Sequence, residues 1–271
     1  VSLILDRPDF EAGRDALALL AFAESLADAA RPVVYRHFRQ PLEVETKADL
    51  SPVTVADREI EAQMRALVRG SHPDHGILGE EAGTEGLERD LVWVLDPIDG
   101  TKSFISGMPT FGTLIGLAER GRPLAGVIDM PALNERWSAI KGRRTTVNGT
   151  PVAVSGQGEL AQARLFSTAP EMFGKPDLKQ RYDDLAGRVG LRRFGADCYG
   201  YCLLAGGWID LVVEADLKPY DYMAVAPVVE HAGGVISDWN GQPLTLNSDG
   251  RVVAAASRQL HARAVALLKD R

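Results

Sequence analysis

Two aspartates three residues apart, Asp96 and Asp99, follow directly on the apolar run Leu91-Val92-Trp93-Val94-Leu95. The run has the length of a strand, and Pro97, which lacks a backbone donor, is expected to end sheet pairing at Asp96-Pro97. Gly100 relieves the turn, and Thr101 to Phe104 can open a helix whose free N–H groups point back at the carboxylates. Two hard carboxylates hold oxygen-seeking divalent cations, and exposed amides at a helix start take an anion. One turn can therefore bind both halves of a metal-phosphate pair. An Asp-Pro-x-Asp-Gly turn taken alone also describes a solvated loop. The buried-type strand ahead of it and the helix start behind it favour chemistry, because open α/β sheets carry their sites at the carboxyl ends of strands.

Other carboxylates stand where elements begin or end. Ser51-Pro52 supplies an N-cap followed by proline at the first helical position, so a helix is expected to start there. On that helix Ala56, Ile60, Met64, Leu67 and Val68 form one apolar stripe, and Asp57 falls inside it. Asp57 is either a helix-start aspartate favoured by the dipole or a functional group; the dipole does not require it to face the core, which favours the second. Gly76 to Gly79 predicts a short strand running into Glu80 and Glu81, a pair that is ordinarily surface charge. Asp197 lies at an expected helix start, where capping is an even alternative to function. Glu214 ends an expected strand seven residues before Asp221 and could be a surface charge.

The elements that must position these groups follow from periodicity. Asp9 to Phe38 predicts one long helix despite Pro32, and Glu43 to Leu50 is a polar stretch. After the central turn, Gly112 to Ala118, Leu124 to Met130 and Arg136 to Ile140 suggest an antiparallel meander, and Val147-Asn148-Gly149-Thr150 is a hairpin turn. Gly156 to Gly158 reads as a hinge, giving a boundary between residues 1–156 and 157–271. The second half alternates: strand at Ala163 to Ser167, helix near Asp177 to Val189, strand at Arg192 to Phe194, helix at Cys198 to Ala205, strand at Trp208 to Glu214, helix at Tyr220 to Ala232, strands at Val235 to Ser237 and Val252 to Ala255, and a terminal helix from Gln259. There is no internal repeat or low-complexity segment.

Composition limits the partners. With 271 residues the chain can bury a sizeable core; 45% hydrophobic and 25% charged residues describe an ordinary globular protein. A net charge of −7 with no basic block argues against nucleic acid and anionic membrane as partners, and leaves small-molecule chemistry. The two cysteines, Cys198 and Cys202, lack the partners of a zinc site and are assigned to core packing. The five histidines show no metal-ligand spacing and are read as structural or surface. No apolar run approaches membrane-spanning length, and the first residues, which open at Val1, lack the pattern of a secretory signal; a cytoplasmic enzyme is expected.

Asp96-Pro97-Ile98-Asp99-Gly100-Thr101, with Gly79-Glu80-Glu81 upstream and Tyr220-Asp221 and Gly233-Gly234 downstream, resembles the signature of the inositol monophosphatase family of magnesium-dependent phosphatases. The resemblance runs over nearly the whole chain. It implies a layered αβαβα sandwich (α/β, in detail α+β) with mixed and antiparallel sheets between helix layers. The N-terminal α+β half would carry the metal-binding turn, and the C-terminal α/β half would complete the substrate site. It implies that Glu80, Asp96, the Ile98 carbonyl, Asp99 and Asp221 bind Mg2+, two or three ions per site. Thr101 and Asp57 would work with Glu80 on the attacking water, and the amides of Gly100 and Thr101 would face the phosphate. Asp99, Asp197 and Glu214 are placed beside the substrate. A departure is Tyr220, where many relatives carry tryptophan.

Chemistry agrees with that assignment. A phosphate monoester hydrolyses very slowly because a nucleophile must approach a dianion, and magnesium ions neutralise that charge while gripping the attacking and leaving oxygens. Gly195-Ala196-Asp197-Cys198-Tyr199 and Gly100-Thr101-Lys102-Ser103-Phe104-Ile105-Ser106-Gly107 are most similar to the histidinol-phosphate phosphatase branch of the family. Two carboxylates around an organic group favour a cation over a neutral polyol. The expected activity is therefore hydrolysis of histidinol phosphate in histidine synthesis, by a homodimer. The alternatives are an inositol-1-phosphate or broad sugar-phosphate phosphatase and, in another class, a non-catalytic binding protein on the same fold.

Overall fold

The computed structural model describes residues 14–41, 44–46 and 52–270. Helix α1 (Arg14–His37) runs unbroken through Pro32; the expected start at Asp9 lies outside the described residues. Strands β1 (Val44–Thr46) and β2 (Pro52–Thr54) pair antiparallel, so the expected polar stretch holds a strand. Helix α2 (Val55–Ser71) begins three residues later than Ser51-Pro52 predicts. Thr54 is its N-cap, with a hydroxyl accepting from Ala56 N at 3.2 Å, and Pro52 is engaged in β2 instead. Ala56, Ile60, Met64 and Val68 are fully buried along α2, each large side chain contributing about 1.5–3 kcal/mol by leaving water. Leu67 is 40% exposed and does not belong to that stripe.

The larger sheet follows. It comprises β3 (Gly76–Gly79), β4 (Gly83–Glu85), β5 (Leu91–Asp99), β6 (Gly112–Glu119), β7 (Arg122–Met130), β8 (Glu135–Ile140), β9 (Thr146–Val147) and β10 (Thr150–Pro151), with the short helix α3 (Thr101–Ile105) after β5. Its order is β10-β9-β8-β7-β6-β5-β3-β4, antiparallel throughout except for the parallel pair β3/β5. Asn148 and Gly149 both take positive φ in the β9–β10 turn, as a two-residue hairpin requires.

The remaining chain supplies β11 (Arg164–Ser167), α4 (Pro176–Ala186), β12 (Leu191–Phe194), α5 (Tyr199–Ala205), β13 (Leu211–Glu214), α6 (Pro219–Tyr222), α7 (Val225–His231), β14 (Val235–Asp238), β15 (Val252–Ala255) and α8 (Arg258–Leu268). The strands form a second, mixed sheet ordered β12-β11-β13-β15-β14. Two expectations shift here. The helix expected over Tyr220 to Ala232 is divided at Met223-Ala224, four residues before Pro227, whose ring would collide with the Met223 carbonyl in a continuous helix. The strand expected from Trp208 starts at Leu211, because Trp208 N and Ile209 N still close the end of α5 on Leu203 O.

Three cores stack the layers. Helices α1 and α2 bury one face of the larger sheet through Leu26, Ile60, Trp93 and Ile115. Its other face shares a core with α5, α6, α7 and the second sheet, joining Val92, Ile128 and Trp137 to Cys202, Tyr222, Val228 and Val252. Helices α4 and α8 cover the far side of the second sheet around Tyr182, Trp239 and Leu260. The result is the expected αβαβα order. Cys198 and Cys202 are both buried and free, within the central core. None of the described helices is long and apolar enough to cross a membrane.

Candidate metal centre

Strand β5 does not stop at Asp96-Pro97 as the proline suggests. It continues to Asp99 through a bulge: Asp96 faces Leu114 and Asp99 faces Gly112, three residues against two. In a regular strand, residues three apart point to opposite faces. The extra residue resets that alternation, and it falls between Asp96 and Asp99, the stretch in which Pro97 lacks a ladder donor anyway. The Pro97 carbonyl is instead capped by Thr113 Oγ1 at 2.8 Å. The bulge is what lets Asp96 and Asp99 serve one site.

Oxygens of Asp96, Asp99 and Asp221 all lie within 4.8 Å of one another. Each carboxylate is held from behind by a backbone amide: Ile98 N on Asp96 Oδ1 at 3.1 Å, Cys198 N on Asp99 Oδ2 at 2.7 Å, and Lys218 N on Asp221 Oδ2 at 2.6 Å. Asp221 comes from the first turn of α6, across the central core from β5. Glu80, at the carboxyl end of β3, lies close enough to Asp96 to share a hydrogen bond with it. A bond between two carboxyls needs a proton in it, so the cluster holds its groups closer than full ionisation tolerates.

Burial, reinforced by the charges of Glu80, Asp99 and Asp221, pushes the Asp96 carboxyl well above its ordinary range. Burial followed by the charge of Asp99 does the same to Asp221, and burial followed by Asp197 pushes Asp99 up to about 7. Crowded, desolvated oxygen donors with raised pKa values are what a hard divalent cation relieves. The donor set fits a magnesium-type ion. The Ile98 carbonyl faces the same turn and accepts from Thr101 Oγ1 at 3.2 Å.

Asp57 is 1% exposed. Its Oδ2 completes a capping box with Thr54, accepting from Thr54 N at 2.8 Å and Oγ1 at 2.6 Å. Its Oδ1 is buried with no hydrogen-bond partner and is near enough to Glu80 to feel its charge. Desolvation raises its pKa, opposed by the two Thr54 bonds. The Thr101 hydroxyl is engaged by Ile98 O rather than by Asp57.

Gly100 has φ 78°, a left-handed conformation that glycine takes without strain, and it caps α3. A Cβ there would also lie 2.9 Å from Asp197 Cγ. Asp197 is therefore packed against the turn, and it is not the N-cap of α5, which is Cys198. Its own φ of 48° is one that aspartate tolerates. Asp197 Oδ2 accepts from Ser103 Oγ at 2.5 Å and Thr110 Oγ1 at 3.3 Å, leaving Oδ1 without a donor among the described residues. Burial raises its pKa; the two hydroxyls and Lys102 oppose that rise.

Glu214 is no surface charge: it is 3% exposed at the end of β13. Thr168 N and Oγ1 donate to Oε1 at 2.9 and 2.6 Å, and Tyr201 OH donates to Oε2 at 2.8 Å. A carboxylate has about four lone-pair sites, so one remains. Burial raises its pKa against those bonds.

Sequence reasoning passed over Glu61 and Arg65. They continue the row begun by Asp57 at four-residue spacing along α2, and both are buried, at 1% and 5% exposure. That row flanks the apolar stripe, and its spacing was the available signal.

The inositol monophosphatase family model matches residues 15–271. The chain is 43% identical over 258 residues to the chloroplastic bifunctional phosphatase IMPL2 of Arabidopsis thaliana, covering 92% of this chain and 74% of that protein. It is 37% identical over 236 residues to the histidinol-phosphatase of Chlorobaculum parvum, covering 87% and 91%. Among solved structures, an inositol monophosphatase from Zymomonas mobilis superposes with a TM-score of 0.85 at 41% identity, covering 93% of this chain and 97% of that one.

Proposed function

The chain belongs to the inositol monophosphatase family, and on that premise we propose that it is a magnesium-dependent phosphatase whose substrate is histidinol phosphate. Glu80, Asp96, Asp99, Asp221 and the Ile98 carbonyl would hold the metal. Magnesium bound there neutralises phosphate charge and lowers the pKa of water. The chain's own groups do the rest. The Gly100 and Thr101 amides orient the phosphate, and the Thr101 hydroxyl, fixed by Ile98 O, positions the attacking water. Glu80 takes the proton from that water, and Asp57, with an open Oδ1 beside Glu80, is the further acceptor.

The observation that carries the choice of substrate is Asp197. A half-buried carboxylate is locked by two hydroxyls against the glycine of the phosphate turn, and one of its oxygens is left for a ligand. Histidinol phosphate brings an ammonium and an easily protonated imidazole, whereas inositol phosphate offers hydroxyls. A charge-assisted hydrogen bond stabilises the cation by about 1.5–3 kcal/mol, while a polyol would strip water from the carboxylate for a weaker contact. The likeness to the Chlorobaculum parvum histidinol-phosphatase supports this reading. The likeness to the Zymomonas mobilis inositol monophosphatase favours the second reading, a polyol phosphate as substrate.

Asp197→Asn separates the two. Catalytic efficiency on histidinol phosphate is expected to fall roughly tenfold to a hundredfold, and that on a small uncharged phosphate ester far less. Equal losses on both esters would return the assignment to the broader phosphatase.

A further inference from the structure

We propose that Glu61 is a positioning residue for Glu80: its buried carboxylate fixes the backbone that carries this ligand and thereby sets the affinity of the site for magnesium. The inference rests on the reading of Glu80 as a metal ligand. Glu61 Oε2 accepts from Glu81 N at 2.7 Å, and Oε1 accepts from Ala82 N at 2.9 Å. These are the two amides that follow Glu80 in the turn from β3 to β4. Arg65 closes the arrangement from the next turn of α2. Its Nε donates to Glu61 Oε1 at 2.7 Å, and its guanidinium also donates to Gly83 O.

The residue before Glu80 packs against the same pair. A Cβ on Gly79 would lie 2.2 Å from Glu61 Oε1 and 2.8 Å from an Arg65 guanidinium nitrogen, so the chain passes directly over the ion pair. Glu80 N itself donates to Leu95 O at 3.2 Å, extending the parallel pairing with β5. The Glu80 backbone is thus held on its C-terminal side by the Glu61 carboxylate, packed against it at Gly79, and bonded from below to the strand that ends in Asp96 and Asp99.

A buried ion pair is weak evidence of stabilisation, because desolvation offsets its attraction. What this pair provides is acceptors at fixed positions for two adjacent amides. It does so from the helix that carries Asp57 one turn earlier. Asp57 and Glu80 consequently share a frame, and a shift of the turn would change their separation. Groups that orient a ligand without touching the metal typically alter metal affinity by about 10–100-fold when replaced.

Glu61→Gln tests this, since an amide NH2 would face one of the donors now satisfied. Four quantities are read on the whole protein: the Mg2+ midpoint for thermal stabilisation without substrate, the Mg2+ midpoint for turnover, and kcat and KM at saturating Mg2+. The expected result is that both midpoints rise about tenfold, while kcat at saturation falls less than threefold and KM is unchanged. Glu61→Asp, which keeps the charge but cannot span both amides, is expected to move the midpoints the same way and serves where the glutamine variant does not fold. A lower melting temperature in chelator with unmoved Mg2+ midpoints would overturn the proposal, leaving Glu61 a stabiliser only. Glu80→Gln is the companion control, expected to raise the Mg2+ midpoint by more than Glu61→Gln does. An unchanged midpoint in Glu80→Gln would instead remove the reading of Glu80 as a ligand, and the Glu61 proposal with it.

Discussion

A carboxylate kept among other carboxylates destabilises the metal-free protein while it would serve a metal-loaded one, and both sides can be tested at Asp99. Asp99→Asn preserves volume and can still accept from Cys198 N, but it removes a charge from the group that includes Asp96 and Asp221. Turnover is expected to fall at least about a hundredfold, the order that losing a charge-stabilising group carries. In chelator the variant is expected to melt no lower than the parent. Wild-type turnover at saturating magnesium would show that the turn is not the metal site. Thr101→Ala belongs to a different class, because a hydroxyl that positions water acts mainly in the transition state; kcat is expected to fall much more than KM rises. At this scale the sequence was most informative where groups are local. Asp96, Asp99 and Thr101 lie within one turn, and their spacing carries its own chemistry. Asp197 and Glu61 were harder for opposite reasons. The first resembles a cap until Ser103 and Thr110 are seen to hold it from another element. The second, with Arg65 four residues on, looks like any exposed helical ion pair until its burial is known.

Elements deliver these groups through irregularities rather than through regular geometry. The bulge between Asp96 and Asp99 aligns the two aspartates, and the break before Pro227 leaves α6 as a separate turn whose amide end presents Asp221. Proline was legible as an interruption at Pro97, whereas the helix expected over Tyr220 to Ala232 ran through Pro227. Whether the chain would stop, bulge or restart depended on partners that local pattern does not contain: Leu114 and Gly112 across β5, the core beneath α7. The start of α2 is the same problem in small. Ser51-Pro52 and Thr54-Val55-Ala56-Asp57 are both acceptable helix starts, and pairing of Pro52 to Thr54 with β1 decides for the second. That choice also bears on the role proposed for Asp57, since the cap residue donates to it. Thr54→Val should cost about 1 kcal/mol in urea unfolding through loss of the cap. It also removes a donor that favours ionised Asp57, so the Asp57 pKa should rise and the acid limb of kcat/KM should move to higher pH. A stability loss with an unmoved acid limb would make Asp57 a cap only.

Across the whole molecule, the site lies where the larger sheet, the middle helices and the second sheet share one core, so Asp99 from β5 and Asp221 from α6 meet only when that core is assembled. Sequence patterning suggested an antiparallel meander and an alternating second half, and the resemblance to the family implied the layers. It could not show that residues on either side of position 156 bury the same apolar surface, because periodicity records which face is apolar and not what covers it. Assembly at this seam links folding, protons and metal. In the folded, metal-free protein the Asp99 carboxyl keeps its proton up to about pH 7, against an ordinary value of 3.8. Between those values the folded state binds more protons than the unfolded state, so this contribution to stability is present at low pH and is lost as pH rises through about 7. Histidines 72, 75, 231 and 261, whose pKa values burial lowers, work in the opposite direction as pH falls, and Asp99→Asn retains them all, so it serves as the reference. In chelator, the stability of the parent relative to Asp99→Asn is expected to decline from pH 5 and to level off above about pH 7. Magnesium must displace the protons retained by Asp96, Asp99 and Asp221, so the rise in melting temperature that it produces in the parent should be larger at pH 8 than at pH 6. Thermal melts of both proteins, with chelator and with saturating Mg2+ at each pH, check the two signs together. A magnesium increment that is the same at both pH values would mean that the cluster does not exchange protons for metal, and the assignment of these aspartates as ligands would fail.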